Sequence, residues 1–316
     1  MKHKSINSFL LALTAFIWGS AFVAQSIGMD YLEPFTFNSI RCVMGGIVLL
    51  PVVFILRHKN QGRKSDRQDR KEARKNRKTL FAGGVCCGLA LAVASSLQQY
   101  GLVYTTAGKA GFITALYILI VPVIRLFFGK RAGIKIWIGV GLAVIGMYFL
   151  CIKQGFAIEK GDSFVFLCAV VFSVHILVID YFAPKVDGVS LSCIQFFISG
   201  VLCAVPMFLY EKPQISDVLA AWMPLVYAGV FSCGIAYTLQ IVAQKNTDPA
   251  VASLVLSLES VFSAITGWII LGERLSEREL LGCALVFAAV ILAQLPVRKK
   301  NVSVRHHKRE MRYHGK

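Results

Sequence analysis

Hydrophobic and polar positions alternate on a long scale along this chain, in stretches of about 20 mostly apolar residues parted by short polar or turn-forming connections. A helix rising 1.5 Å per residue needs about 20 such residues to cross ~30 Å of hydrocarbon. Ten windows meet that requirement, near 8–28, 35–56, 80–102, 108–128, 134–151, 163–181, 191–210, 219–243, 250–271 and 280–295, and most hold no charge. Strands of a membrane barrel would be about ten residues long with alternating character, so length and continuity select helices. The connections carry the expected punctuators, among them Glu33-Pro34, Ala107-Gly108, Asp187-Gly188, Lys212-Pro213 and Asp248-Pro249. The first window is longer than a signal-peptide core and no small-x-small cleavage site follows it. The pattern predicts an all-α integral membrane protein with ten transmembrane helices.

The ten windows fall into two similar sets of five. Residues 9–51 resemble 164–205 at an offset near 154, which pairs Trp18 with Phe172, Ala21 with His175 and Arg41 with Gln195. Residues 97–110 resemble 239–252 at an offset of 142, which pairs Gln98 with Gln240 and, further on, Tyr117 with Glu259. A unit with an odd number of spans enters the membrane upside down when it is repeated, so two inverted five-helix repeats are expected, at 8–152 and 153–296.

Composition agrees with a membrane class and charge then orients it. Hydrophobic residues make up 56% of the chain and charged ones only 16%, too oily for an ordinary soluble domain, yet the formal net charge is +17. The entire excess lies in residues 1–4, in the segment 57–79, read as a loop, and in 298–316; the remainder balances thirteen basic against thirteen acidic residues. A uniformly basic nucleic-acid binder is therefore disfavoured, and no nucleic-acid partner is expected. With the N-terminus inside, twenty-six Lys and Arg fall on the inner side and five on the outer. The positive-inside rule places the N-terminus (1–7) and the tail (297–316) in the cytoplasm, on a multi-pass protein of the plasma membrane. Basic segments on that side are expected to attract anionic lipid headgroups at ~1 kcal/mol per residue.

Residues shared with one family narrow the reading. Trp18-Gly19-Ser20 in the first span, Arg41 in the second, Ala110-Gly111-Phe112-Ile113-Thr114-Ala115-Leu116-Tyr117 in the fourth, and Ser257-Leu258-Glu259-Ser260-Val261-Phe262 leading to Leu271-Gly272-Glu273-Arg274-Leu275 stand in order and at repeat spacing. With these, residues 8–295 resemble the EamA-type permeases of the drug/metabolite transporter superfamily. The resemblance implies a secondary transporter working by alternating access, with export of amino acids or related metabolites the commonest theme. Two positions depart from the family pattern. Ser260 stands where many relatives have proline, which should remove a helix kink, and the first-half Gly-Glu-Arg reads Gly129-Lys130-Arg131.

Polar residues at membrane depth are costly, so each needs a partner or a wet cavity. Glu259 is the deepest acid, and its two readings are a proton-accepting or cation-recognising group and a carboxylate that fixes packing. Arg41, six residues into its span, is expected to snorkel to the outer interface rather than to meet an anionic substrate. Lys109 and Arg125 lie near span ends and are left out of the site, and Asp180 reads as a boundary cap. Trp18 and Gln25, seven apart, share a helix face, and the repeat brings His175 to the equivalent face of the sixth span. Tyr237, Gln240 and Gln244 recur at i, i+3 and i+7, with Gln98 and Gln99 in the matching third span; such amides either knit helices together or line a cavity. The expected cavity lies between spans one, three, four, six, eight and nine and is lined by Trp18, Gln25, Gln98, Gln99, Tyr117, His175, Tyr237, Gln240 and Glu259. Coupled protons would ride on Glu259 and then His175.

The nine cysteines lie in or beside spans without a CxxC or a metal-ligand pattern, so they read as small hydrophobes; no cofactor and no metal are expected. No HExxH, GxxxxGK[ST] or GxSxG signature occurs, so the chain reads as no enzyme. Glycines 139, 141, 146 and 282 suit close helix packing, within one chain first and across a homodimer second. A channel, a non-transporting scaffold and an intramembrane enzyme are the rival classes.

Overall fold

The structure is a computed structural model describing residues 2–61, 67–105, 107–130, 132–151, 160–271 and 276–294. Among the described residues there is no strand. The helices are α1 (Lys2–Gly28), α2 (Pro34–Gln61), α3 (Arg67–Leu102), α4 (Ala107–Ala115), α5 (Tyr117–Phe127), α6 (Ile134–Cys151), α7 (Lys160–Phe182), α8 (Gly188–Tyr210), α9 (Ile215–Ala220), α10 (Trp222–Val226), α11 (Thr238–Gln244), α12 (Pro249–Leu256), α13 (Leu258–Leu271) and α14 (Glu277–Gln294). A π-helical segment, Tyr227–Tyr237, joins α10 to α11.

Eight helical stretches are long and apolar enough to cross a membrane, and two shorter apolar ones, Ile134–Phe149 and Leu280–Leu292, fall below that length. The short pair pack on each other: a Cβ on Gly146 would stand 2.8 Å from the Gly282 carbonyl oxygen and 2.8 Å from Leu285 Cβ. The glycine thus brings α6 against α14 backbone to backbone, the intramolecular use expected of these residues. Gly141, by contrast, has nothing within 4 Å of its Cβ position. The basic segment 57–79, read as a loop, is helical where it is described: α2 continues to Gln61 and α3 begins at Arg67. The tail 297–316, Arg131, and Gly272-Glu273-Arg274-Leu275 lie outside the described residues, as does the side chain of Lys109.

Two interruptions shape the interior, and they occur at corresponding places of the two halves. The fourth hydrophobic window breaks at Leu116 (φ −60°, ψ −10°) and the ninth at Ser257 (φ −61°, ψ −12°). At both, the ladder tightens to three-residue bonds, Leu119 N–H donating to Leu116 O at 2.9 Å and Ser260 N–H to Ser257 O at 3.2 Å. The second break overturns the expectation that Ser260, in place of proline, leaves that helix unkinked. Serine hydroxyls disturb the ladder instead: Ser253 Oγ donates to Ala250 O (3.1 Å), Ser257 Oγ to Leu254 O (2.8 Å) and Ser260 Oγ to Ser257 O (2.8 Å). Such back-bonding bends helices without a proline.

The π-helical turn is set by close packing on α2. A Cβ on Gly45 would lie 2.6 Å from Cys233 Cβ and 3.1 Å from Gly229 O, and one on Gly229 would lie 2.8 Å from Met44 Cβ and 3.2 Å from Arg41 O. These glycines let two backbones touch beside Arg41. At the start of α2, the buried Glu211 carboxylate accepts from Phe35 N–H (2.8 Å), Thr36 N–H (2.6 Å) and Thr36 Oγ (2.6 Å), so the end of α8 supplies the cap. Gly129, at φ +69°, ends α5 with Lys130 N–H donating to Arg125 O at 3.0 Å. Gly129→Ala should cost ~1 kcal/mol, read as a lower midpoint of thermal unfolding in detergent.

Candidate substrate cavity

The breaks, the π-helical turn and the face of α1 converge on one cavity. Trp18, Phe22 and Gln25 line it from α1, at the spacing that stacks side chains on one helix face. Arg41 enters from α2 and Gln98 from α3; Thr114 and Tyr117 flank the first break, and Glu259 follows the second. Phe172, His175 and Ile176 come from α7, Ser232 and Tyr237 from the π-helical turn, and Gln240 from α11. The empty space is about 460 Å³, its open side included. Both sequence halves contribute, and the repeat partners Gln98 and Gln240, Tyr117 and Glu259, Trp18 and Phe172 all meet there.

Of the nine residues expected to line it, eight are brought together and Gln99 is not. Adjacent helical residues point about 100° apart, so Gln98 and Gln99 cannot both face inward. Gln98 Nε2 donates to Thr114 Oγ1 at 3.2 Å, whereas fully buried Gln99 donates to the Gln25 carbonyl of α1 at 3.3 Å and packs helices. Gln244 is likewise turned to packing, donating to Ile176 O at 2.6 Å.

Arg41 is the principal revision. It does not snorkel: it is 4% exposed, lines the cavity, and donates from Nη1 to Gln25 Oε1 at 2.7 Å. Its Nε finds no hydrogen-bond partner. Glu259, 3% exposed, leaves Oε1 unpartnered, as does Gln240, and the Trp18 Nε1 is also unpaired. The Tyr117 hydroxyl lies beside the Glu259 carboxyl and interacts with it. Among the described residues, no ion pair joins Arg41 to Glu259. The cavity therefore holds a guanidinium and a carboxyl group, each with unused hydrogen-bonding capacity.

Aromatic rings form its walls. Trp18 and Tyr237 lie 4.6 Å apart between centroids, and Tyr237 is met edge-on by Phe196 at 5.5 Å and by His175 at 6.1 Å. His175 Nε2 is 3.1 Å from Gln195 Oε1, so His175 and Gln195 link α7 to α8 as Gln25 and Arg41 link α1 to α2. Phe22, Thr114, Phe172, Ile176 and Ser232 line the cavity without standing out in the sequence. The offset of 154 would have found Phe172 and Ile176, as partners of Trp18 and Phe22, and Thr114 precedes Tyr117 by one turn. Ser232 carries no such signal, because the π-helical turn shifts its phase.

Comparison with known proteins places this cavity in a family. The model of the EamA-like transporter family matches residues 6–152 and again 159–295, once over each half. The chain belongs to the EamA-like transporter family. It is 30% identical over 288 residues to an uncharacterized transporter of Archaeoglobus fulgidus, covering 91% of this chain and 85% of that protein. It is 22% identical to the uncharacterized inner membrane transporter YedA of Escherichia coli over 93% of each chain, and 20% identical to the uncharacterized transporter YoaV of Bacillus subtilis over 90% and 96%. A crystal structure shares the fold with a TM-score of 0.72 at 19% identity, covering 90% of this chain and 96% of the other. This EamA-like protein is a multi-pass membrane transporter, in a family whose relatives are transporters rather than enzymes.

Proposed function

We propose that this EamA-like transporter exports a small zwitterionic solute, such as an amino acid or a related metabolite, across the plasma membrane by alternating access. Ten helices cross the bilayer in this reading, as two inverted repeats with both termini in the cytoplasm, where the basic segments meet anionic headgroups. The observation that carries it is that one cavity is lined by both the Arg41 guanidinium and the Glu259 carboxyl, with no ion pair between them. A buried charge is tolerated where a ligand or water completes it. A carboxylate would take the Arg41 end beside Gln25, an ammonium group the Glu259 and Gln240 end, and an apolar body the Trp18, Phe172 and Tyr237 rings. Glu259, and after it His175, would carry a coupled proton.

Two measurements on the purified full chain test this. A thermal-shift screen against amino acids, their amides, polyamines and nucleosides should give its largest shifts with zwitterions, since ligands of the folded state raise its stability by mass action. In reconstituted vesicles, the same compounds should show counterflow, and an imposed pH gradient should drive their accumulation. Conductance would overturn the transport reading, shifts confined to compounds of one charge sign would overturn the zwitterionic assignment, and counterflow that ignores the pH gradient would remove the coupling alone.

A further inference from the structure

The end of the bundle where α5 finishes and α12 starts is shut by a different set of contacts from those lining the cavity. Short connections reverse the chain after each helix, so the C-terminal half of the fourth hydrophobic window and the N-terminal half of the ninth reach that end together. Tyr117, at the start of α5, and Glu259, in the first turn of α13, line the cavity, and no lining residue comes from 118–128 or 249–256. Those segments are solid instead: Ile118 and Val121 in α5 and Ala250, Ala252, Leu254, Val255 and Leu256 in α12 are fully buried. At their tips Arg125 Nη1 donates to Asp248 Oδ1 at 2.6 Å, with side-chain exposures of 12% and 42%. The same Oδ1 accepts from Ala250 N–H at 2.9 Å and caps α12, so the carboxylate is held in place for the arginine. Asp180 on α7 lies within electrostatic reach of Arg125, Lys130 and Asp248, so two bases from the first half face two acids from the second. Asp180 is thus part of this charge cluster, not an isolated cap.

We infer that α5 and α12 form a two-part plug which pivots at Leu116 and Ser257, and that the Arg125–Asp248 ion pair is the latch holding it shut. Each half-helix meets the rest of its span at a turn where three-residue bonds are added to the helical ladder, so releasing the tips frees both without unwinding the rest of either span. This latch rests on the alternating-access reading, but the exchange measurement that tests it needs no substrate.

Hydrogen–deuterium exchange on the full chain in detergent reads plug opening directly. Asp248→Asn keeps a capping side chain and removes the charge, and Arg125→Gln leaves the cap untouched. Each should raise the exchange rate about fivefold in peptides from both 118–128 and 249–256, the scale of a partly exposed ion pair. Arg125→Lys, which preserves the charge, should stay near the wild-type rate. Unchanged exchange, a rise confined to the peptide holding the substitution, or an equal rise in α6 and α14 would each overturn the latch. Counterflow on the same variants separates the two readings: coupled exchange without transport removes the transporter mechanism, and transport without coupled exchange removes the latch.

Discussion

Gly19→Leu is expected to destabilise the folded protein by about 3 kcal/mol, at the upper end of the cost of overpacking an interior. A Cβ at Gly19 would stand 2.6 Å from the Glu259 carbonyl oxygen, 2.6 Å from Phe262 Cβ and 2.8 Å from Ser263 N. Two of those three atoms are backbone of α13 in its first turns, so no side chain can swing away to make room. The neighbours fix the approach further: Ser20 Oγ is 2.5 Å from the Tyr227 hydroxyl, and Phe16 meets Phe262 edge-on at 5.3 Å. The added bulk must therefore push α13, and with it Glu259, away from Trp18. Gly141→Leu, the same change in α6 at a position with nothing within 4 Å, is the matched control and should leave stability nearly unchanged. Thermal unfolding in detergent followed by size-exclusion chromatography would show Gly19→Leu losing monodisperse protein well below the wild-type midpoint. Equal midpoints for the two variants would show that α1 and α13 do not meet closely at Gly19.

That glycine also shows what the sequence can and cannot disclose. Trp18-Gly19-Ser20 is recognisable as a family feature, but only the structure supplies the reason: the tryptophan faces the cavity, the glycine admits α13, and the serine reaches Tyr227. Helical windows are legible because apolar length is a one-dimensional property. The cavity is largely legible because the repeat sets polar residues opposite one another, as Tyr117 and Glu259 show. Rotation about a helix axis is not legible where both faces of a span are apolar. Arg41 is the instance: counting residues from the span end suggests the interface, but the Glu211 carboxylate caps α2 from within the protein and turns Arg41 toward Gln25. Interruptions of regular geometry are hidden for a related reason. The Ser257 break and the Tyr227–Tyr237 π-helical turn arise from hydroxyl competition and glycine contacts, which depend on three-dimensional neighbours.

Arg41→Gln and Glu259→Gln are expected to reduce binding of a zwitterionic solute by about 10²-fold each, the scale of removing one charge-assisted hydrogen bond from a desolvated site. Glu259→Gln nearly preserves volume, Arg41→Gln shortens a side chain that borders open cavity, and each removes a buried ionisable group, so neither should lower the unfolding midpoint. That separation of effects is informative, because a residue serving only to hold the fold would lose stability first. Analogues of any compound that shifts the wild-type protein refine the test. Wild type should bind the zwitterion far better than its amide, which lacks the carboxylate, or its deaminated form, which lacks the ammonium group. Arg41→Gln should become indifferent to the carboxylate while still favouring the ammonium group, and Glu259→Gln should show the opposite pattern, with its vesicle uptake no longer driven by a pH gradient. Each variant and analogue thus closes a thermodynamic cycle in which removing both partners costs no more than removing one. If both variants lose affinity equally for the zwitterion and for each analogue, the charges at Arg41 and Glu259 shape the cavity without touching the solute, and the zwitterionic assignment falls.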